Sequence, residues 1–195
     1  RLSKYPIEVK ILPSMDNIVN GVVSIDSIKH VEVADILGRD TVEPNKILLE
    51  KNISGKNVLI TGAGGSIGSE LSRQIMKLSP KKVVLIDNSE YNLYNIHLEL
   101  VGIGLDIDVI PSLCTVTNYH QLKQIIEQNK IQTIYHAAAY KHVPMVEMNI
   151  VSGTYNNVIG TYNTAKLADE LNVENMVLVS TDKAVRPTNV MGASK

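Results

Sequence analysis

The sequence contains no tryptophan and no phenylalanine, and its eight tyrosines supply all of its Phe/Trp/Tyr-type aromatic content. That absence points to no particular function. A single cysteine, Cys114, excludes an internal disulfide and any multi-cysteine metal site. It reads as a small buried hydrophobe in a reducing compartment. An excess of either charge is also missing. The 19 Lys and Arg against 20 Asp and Glu leave a formal net charge of -1, which gives no basis for a nucleic-acid partner. No run approaches the ~18 apolar residues of a membrane span, and no signal peptide is visible. The chain is therefore expected to be cytoplasmic. It opens on Arg1 rather than Met and reads as a piece of a longer protein, which leaves room for a membrane anchor upstream. At 195 residues and 44% hydrophobic content it suits one domain, or one domain plus a fragment, with a substantial core.

What is present centres on Val58 to Gly68, VLITGAGGSIG. Val58, Leu59 and Ile60 read as a strand buried on both faces, and Gly62, Gly65 and Gly68 follow at intervals of three. Gly62 allows a tight exit from the strand, Gly65 lets backbone approach a pyrophosphate, and Gly68 lets the next helix pack close. That helix, opening at Ser66 and Ile67, offers unpaired N–H groups and a positive dipole end to phosphates. A second apolar run, Val83 to Ile86, ends on Asp87 about 20 residues beyond the glycines, where an acid meets the ribose hydroxyls of NAD and repels the extra phosphate of NADP. Asp87 also fits a strand-end turn or a helix N-cap. A P-loop is excluded because no Lys-Ser/Thr follows the glycines.

Residues 1–50 differ from the rest. Ile7 to Leu12 alternates like a strand and stops at Pro13, and an Asn/Ser-rich passage, a mixed segment from Ile28 to Ile36 and a turn at Gly38-Arg39-Asp40 follow. They read as the tail of a preceding region plus a linker, ending in a short amphipathic segment from Asn45 to Lys51. From residue 51 to 195 the pattern predicts a dinucleotide-binding domain. Its helix one covers about 66–78, with Ile67, Leu71, Ile75 and Leu78 on one face. Strand two is 82–86, helix two 89–101 with a Leu93, Ile96, Leu100 stripe, strand three 107–110, and helix three 118–128. Strand four is 133–136, a long helix covers 151–171, and strand five is 176–179. Strands alternating with helices of this length predict an α/β doubly wound parallel sheet, a Rossmann fold with ligands at the carboxyl ends of the strands.

Chemistry-bearing residues recur at those ends. After strand four come Ala137, Ala138 and Ala139, small enough to let a flat cofactor ring lie against backbone, then Lys141 and His142, which fit an anionic substrate or a solvated helix start. No carboxylate or cysteine lies at ligand spacing from His136 and His142, so a metal site is disfavoured. After strand five, Thr181, Asp182 and Lys183 place a hydroxyl, an acid and a base within one turn, or else begin a capped helix. Met191 and Lys195, four apart, share a helix face.

Together, TGAGGSIG, the acid-ended second strand, HAAA, the Asn157 to Thr161 run and the spaced lysine resemble the extended short-chain dehydrogenase/reductase superfamily. GSIGSEL, LIDNSEYNLY, HAAAYKHVPMVE and STDKAVRPTNVMGASK narrow the resemblance to bacterial nucleotide-sugar 4,6-dehydratases of polysaccharide biosynthesis, typified by UDP-N-acetylglucosamine 4,6-dehydratase, over about Gly38 to Lys195. The resemblance implies tightly held NAD, a UDP-sugar substrate and an upstream membrane-associated region that would hold the full-length protein at the inner membrane. A homo-oligomer is compatible with it.

It further implies that NAD+ takes hydride from C4 of the sugar, that Lys183 removes the C5 proton, and that Asp182 assists loss of hydroxide from C6. Thr181 would hold the C4 oxygen and Lys195 the nicotinamide ribose, with Thr115 and Val116 near the adenine side. Two positions depart from the superfamily pattern. Met191 stands where a Tyr is usual, which is typical of the long membrane-associated dehydratases, and the acid often found after strand three is replaced within Cys114 to Thr117. Extended members also continue into a C-terminal lobe. The resemblance therefore implies an incomplete catalytic unit with apolar sheet surface exposed after strand five. A nucleotide-sugar epimerase, a dehydratase that inverts C5 and a non-catalytic NAD-binding module are the competing readings.

Overall fold

In the computed structural model the described residues are Lys10–Ile11, Lys29–His30 and residues 45–195. The chain divides into two compact units, Arg1–Pro44 and Asn45–Lys195. In the first, β1 (Lys10–Ile11) and β2 (Lys29–His30) pair antiparallel, with Lys10 opposite His30. The rest of the strand expected over Ile7 to Leu12, and the segments expected around it, lie outside the described residues.

The second unit opens with α1 (Lys46–Ile53), whose N-cap Asn45 accepts the Leu48 N–H through Oδ1 at 3.2 Å. Strand and helix then alternate through β3 (Asn57–Thr61), α2 (Ser66–Met76), β4 (Lys82–Asp87), α3 (Glu90–Gly102), β5 (Asp108–Leu113), α4 (Tyr119–Gln128) and β6 (Thr133–His136). After β6 come α5 (Val143–Met148), α6 (Ile150–Thr154), a π-helical turn (Tyr155–Ile159), α7 (Gly160–Glu170), β7 (Asn175–Leu178), a 3-10 turn (Asp182–Ala184) and α8 (Val190–Ala193).

The five strands β3 to β7 form a parallel sheet in the order β5-β4-β3-β6-β7. Successive residues of a strand face opposite ways, and the core divides accordingly. Val58, Ile60, Val83 and Leu85 pack with α2 and α3 through Ile75, Met76, Leu93, Ile96 and Leu100. Leu59, Val84, Ile86 and Ile134 pack with α4 and α7 through Leu122, Ile126 and Leu167. The sheet is thus doubly wound. Its switch point lies between β3 and β6, where the chain reverses its direction of travel across the sheet and a crevice opens at the strand ends.

Three details differ from the expected pattern. Ile67, assigned above to the core stripe of the first helix, is 53% exposed, and the buried face of α2 is Gly68, Ser72, Ile75 and Met76. A Cβ on Gly68 would lie 2.0 Å from the Gly62 carbonyl oxygen, so this glycine marks the face pressed against the loop and its neighbour Ile67 turns outward. The long helix expected over 151–171 is interrupted by the π-helical turn. β5 runs on to Leu113 through Pro111, which an edge strand tolerates because its outer side has no partner among the described residues. At the opposite edge, Val177 and Leu178 of β7 are exposed.

No helix among the described residues is long and apolar enough to cross a membrane. Leu100 is fully buried between α3 and the sheet. Leu100→Ala is expected to lower unfolding free energy by about 2–5 kcal/mol, read as a lower denaturation midpoint with unchanged m-value.

Candidate functional site

The site begins where β3 ends. Gly62 takes φ +65°, and a Cβ there would lie 2.7 Å from the Ala138 Cα, so the glycine turn and the segment after β6 meet backbone to backbone. The Gly62 carbonyl accepts the Gly65 N–H at 3.0 Å. Gly65 is the N-cap of α2 and no side chain caps that helix, so its first-turn N–H groups stay available at the cleft edge. Ser66 and Ile67 occupy that exposed first turn.

Asp87 ends β4 and is 7% exposed. Its Oδ2 accepts the Gly64 N–H at 2.9 Å and its Oδ1 the Ser89 N–H at 2.9 Å, while Ser89 itself caps α3. The carboxylate therefore braces two loops rather than capping a helix, and each oxygen keeps a lone pair for a ligand.

Gly62, Gly65, Asp87, Thr115, Val116 and Ala137 to Ala139 line one cleft enclosing about 630 Å³ of space open to solvent. Its small or backbone-rich floor, available helix N–H groups and single acid fit a dinucleotide. Gly68 lies behind the cleft as the packing contact of α2. Thr115 Oγ1 lies 2.9 Å from Thr117 Oγ1 and accepts the Thr117 N–H, so that hydroxyl is already engaged. Cys114 also lines the cleft, and burial pushes its thiol up to about 11, which leaves it a packing residue.

Asn156 and Tyr140 line the cleft as well, and the sequence reading assigned neither. The π-helical turn buries both Asn156 and Asn157. Asn157 Oδ1 accepts the Tyr140 N–H at 2.8 Å, and its Nδ2 donates to the Tyr140 carbonyl and to Ser194 Oγ, each at 3.0 Å. One amide thus joins the segment after β6 to α8. Lys141 and His142 line a second, more apolar pocket with Met145 and Val146, which adjoins the first at Ala139 and Tyr140.

Thr181, Asp182 and Lys183 form the turn after β7. Thr181 Oγ1 donates to Asp182 Oδ1 at 3.0 Å, and Lys183 Nζ lies 3.6 Å from the same oxygen. The Thr181 hydroxyl, and then the Lys183 charge, hold the Asp182 carboxyl below its ordinary value. α8 is fastened over this turn. A Cβ on Gly192 would sit 2.2 Å from the Lys183 carbonyl oxygen, Glu147 Oε1 accepts the Val190 N–H at 2.6 Å, and Asn189 Oδ1 accepts the Gly192 N–H at 2.8 Å.

Met191, on α8, is buried. Lys195 is half-buried and donates from Nζ to the Val179 carbonyl at 2.7 Å, and desolvation lowers its pKa. His136 is fully buried, with Nδ1 2.7 Å from Thr61 Oγ1 and Nε2 3.0 Å from Thr161 Oγ1. Burial, and then the Lys195 charge, push it down to about 4. Both ring nitrogens are engaged by threonines.

Residues 58–195 match the family model described as polysaccharide biosynthesis protein. The capsular polysaccharide biosynthesis protein CapD of Staphylococcus aureus is 42% identical over 97% of this chain and 32% of its own length. The chain thus spans about a third of that relative. A UDP-N-acetylglucosamine 4,6-dehydratase (inverting) from Campylobacter jejuni is 29% identical over 73% of this chain and 41% of its own. A UDP-glucose 4-epimerase from Rickettsia rickettsii is also 29% identical, over 72% and 40%. Among solved structures, Pen from Bacillus thuringiensis superimposes with a TM-score of 0.67 at 32% identity, covering 73% of this chain and 42% of that one.

The His136 geometry carries a pH dependence. An imidazole held at about 4 in the folded chain but near 6.5 when unfolded binds more protons in the unfolded state across that interval, so stability falls as pH falls. Between pH 7 and pH 5 the expected loss is about 2 kcal/mol, measured by denaturant titration, and His136→Asn is expected to remove most of that slope.

Proposed function

The chain belongs to the polysaccharide biosynthesis protein family, and from that premise we propose that it carries the cofactor-binding and proton-transfer part of a nucleotide-sugar 4,6-dehydratase acting on UDP-N-acetylglucosamine or a close relative. The observation that carries this reading is the Thr181-Asp182-Lys183 turn, locked against α8 at the carboxyl end of the same sheet that shapes the dinucleotide cleft. NAD+, when bound, would accept hydride from C4 of the sugar and return it to C6. Asp87 and the first turn of α2 would hold its ribose and phosphates, Ala137 to Ala139 its ring, and Lys195 the nicotinamide ribose.

The residues then divide the proton work. Thr181 holds the C4 oxygen, whose hydroxyl proton passes to solvent as hydride leaves. Lys183 takes the C5 proton and returns it to C5 when hydride reaches C6, and Asp182 gives a proton to hydroxide leaving C6 and is reprotonated from solvent. These roles need neutral Asp182 and neutral Lys183, which differ from the ion pair by one proton moved within the pair. Excluding water disfavours the charged pair and favours the neutral one, so a bound sugar covering the turn prepares both groups at once. Lys141 and His142 face the anionic part of the substrate. The epimerase reading has a relative of equal similarity, but an epimerase loses no water and so leaves the Asp182–Lys183 pair without a task, whereas the dehydratase needs an acid and a base there.

Self-association is part of the proposal. Val151, Tyr155, Val158 and Tyr162 are exposed at alternating four- and three-residue spacing, and no charged residue lies between 149 and 165. Such a stripe can pair with its own copy about a two-fold axis. Sedimentation is expected to show a dimer that Tyr155→Asp shifts to monomer, and a monomeric parent chain would remove the oligomer.

Incubation with NAD+ and UDP-N-acetylglucosamine is expected to give, by mass spectrometry, a nucleotide sugar lighter by one water. Asp182→Asn and Lys183→Ala should each lower turnover at least 100-fold while NAD affinity stays within about threefold, in line with a positioned acid or base. An isomeric product of unchanged mass would favour the epimerase. NAD binding with no product would point to an incomplete catalytic unit or to a binding module, and activity regained on restoring the downstream sequence would decide for the former.

A further inference from the structure

His136 is buried and titratable, and the chemistry above gives it no task. It ends β6 between Thr61 of β3 and Thr161 of α7. Thr61 is fully buried, and its Oγ1 also accepts the Ala138 N–H at 3.3 Å. A hydroxyl has one proton to give. With Ala138 donating to it, the Thr61 oxygen has His136 Nδ1 as the acceptor within reach among the described residues. The imidazole proton then sits on Nε2 and is donated to Thr161, which is only partly buried. The other tautomer would leave the Thr61 proton buried without an acceptor, a state that folded proteins avoid.

We propose that His136 is a positioning residue, held as the Nε2–H tautomer, which fixes the Ala137–Ala139 wall of the cleft through Thr61. Ala138 has little slack to absorb a shift toward the glycine turn, because its Cα lies only 2.7 Å from where a Gly62 Cβ would be. Any rotation of Thr61 therefore moves the wall relative to the glycine turn. The neutral ring the scheme requires is the form that burial and the neighbouring Lys195 charge favour. The cofactor side of this inference rests on the reading of the cleft as a dinucleotide site, whereas the tautomer does not.

Long-range proton–nitrogen correlation spectra of the 15N-labelled chain are expected to show His136 protonated at Nε2, and protonation at Nδ1 would overturn the proposal. NAD+ titrations supply the second test. Thr61→Val and His136→Leu should each weaken binding about tenfold, the cost of one well-placed hydrogen bond. His136→Asn, whose amide oxygen can replace Nδ1 as acceptor, should recover most of that loss, and Thr161→Val should stay within threefold of the parent. Losses that instead track thermal destabilisation across all four variants would reduce His136 to a packing role and overturn it. A parent chain that binds no NAD+ would refute the cofactor reading, and with it the wall's role, while the spectra still decide the tautomer.

Discussion

The close approach of backbone at Gly62 is the constraint on which the site depends. Its carbonyl oxygen receives the Gly65 N–H and lies where a Gly68 side chain would be, and its Cα side abuts Ala138. Three segments that meet at the switch point of the sheet are thereby held without an intervening side chain: the end of β3, the start of α2 and the strand end after β6. A ligand laid across this junction meets backbone on both sides. Asp87 adds the lateral brace by tying the glycine turn to the start of α3.

A second set of fastenings organises the other end of the cleft. α8 has only four residues, too few to hold itself together by helix propensity, and side chains from elsewhere supply its order. Glu147, Asn157 and the Gly192 contact with Lys183 anchor it to α5, to the π-helical turn and to the Thr181–Lys183 turn. The segment carrying Lys141 and His142 and the segment carrying Lys195 therefore share supports. Proton chemistry at the Asp182–Lys183 pair would be set by how far a bound ligand dries that surface, since both side chains are exposed.

Much of this was legible in the sequence because apolar period and glycine spacing report directly on burial. β6 falls on residues 133–136 as read, the Leu93, Ile96, Leu100 stripe is buried, and the doubly wound sheet follows from the alternation of runs. Eight of the residues expected at the cofactor, from Gly62 to Ala139, share one cleft. Ile67 was misplaced because a helical stripe read from hydrophobicity ignores Gly68, whose missing side chain sets the contact face. The π-helical turn was invisible because it changes hydrogen-bond register without changing composition, and with it went the buried Asn156 and Asn157. His136 was weighed in the sequence only as a disfavoured metal ligand, since its threonine partners Thr61 and Thr161 lie far from it in the chain.

The central claim is that the crevice beside Gly62 and Asp87 is a site for NAD. It is tested most directly by calorimetric titration of the chain with NAD+ and with NADP+. The account predicts one saturable site for NAD+ and binding of NADP+ at least about tenfold weaker, because the second phosphate would meet the Asp87 carboxylate. Preference for NADP+, or no binding of either dinucleotide, would contradict it.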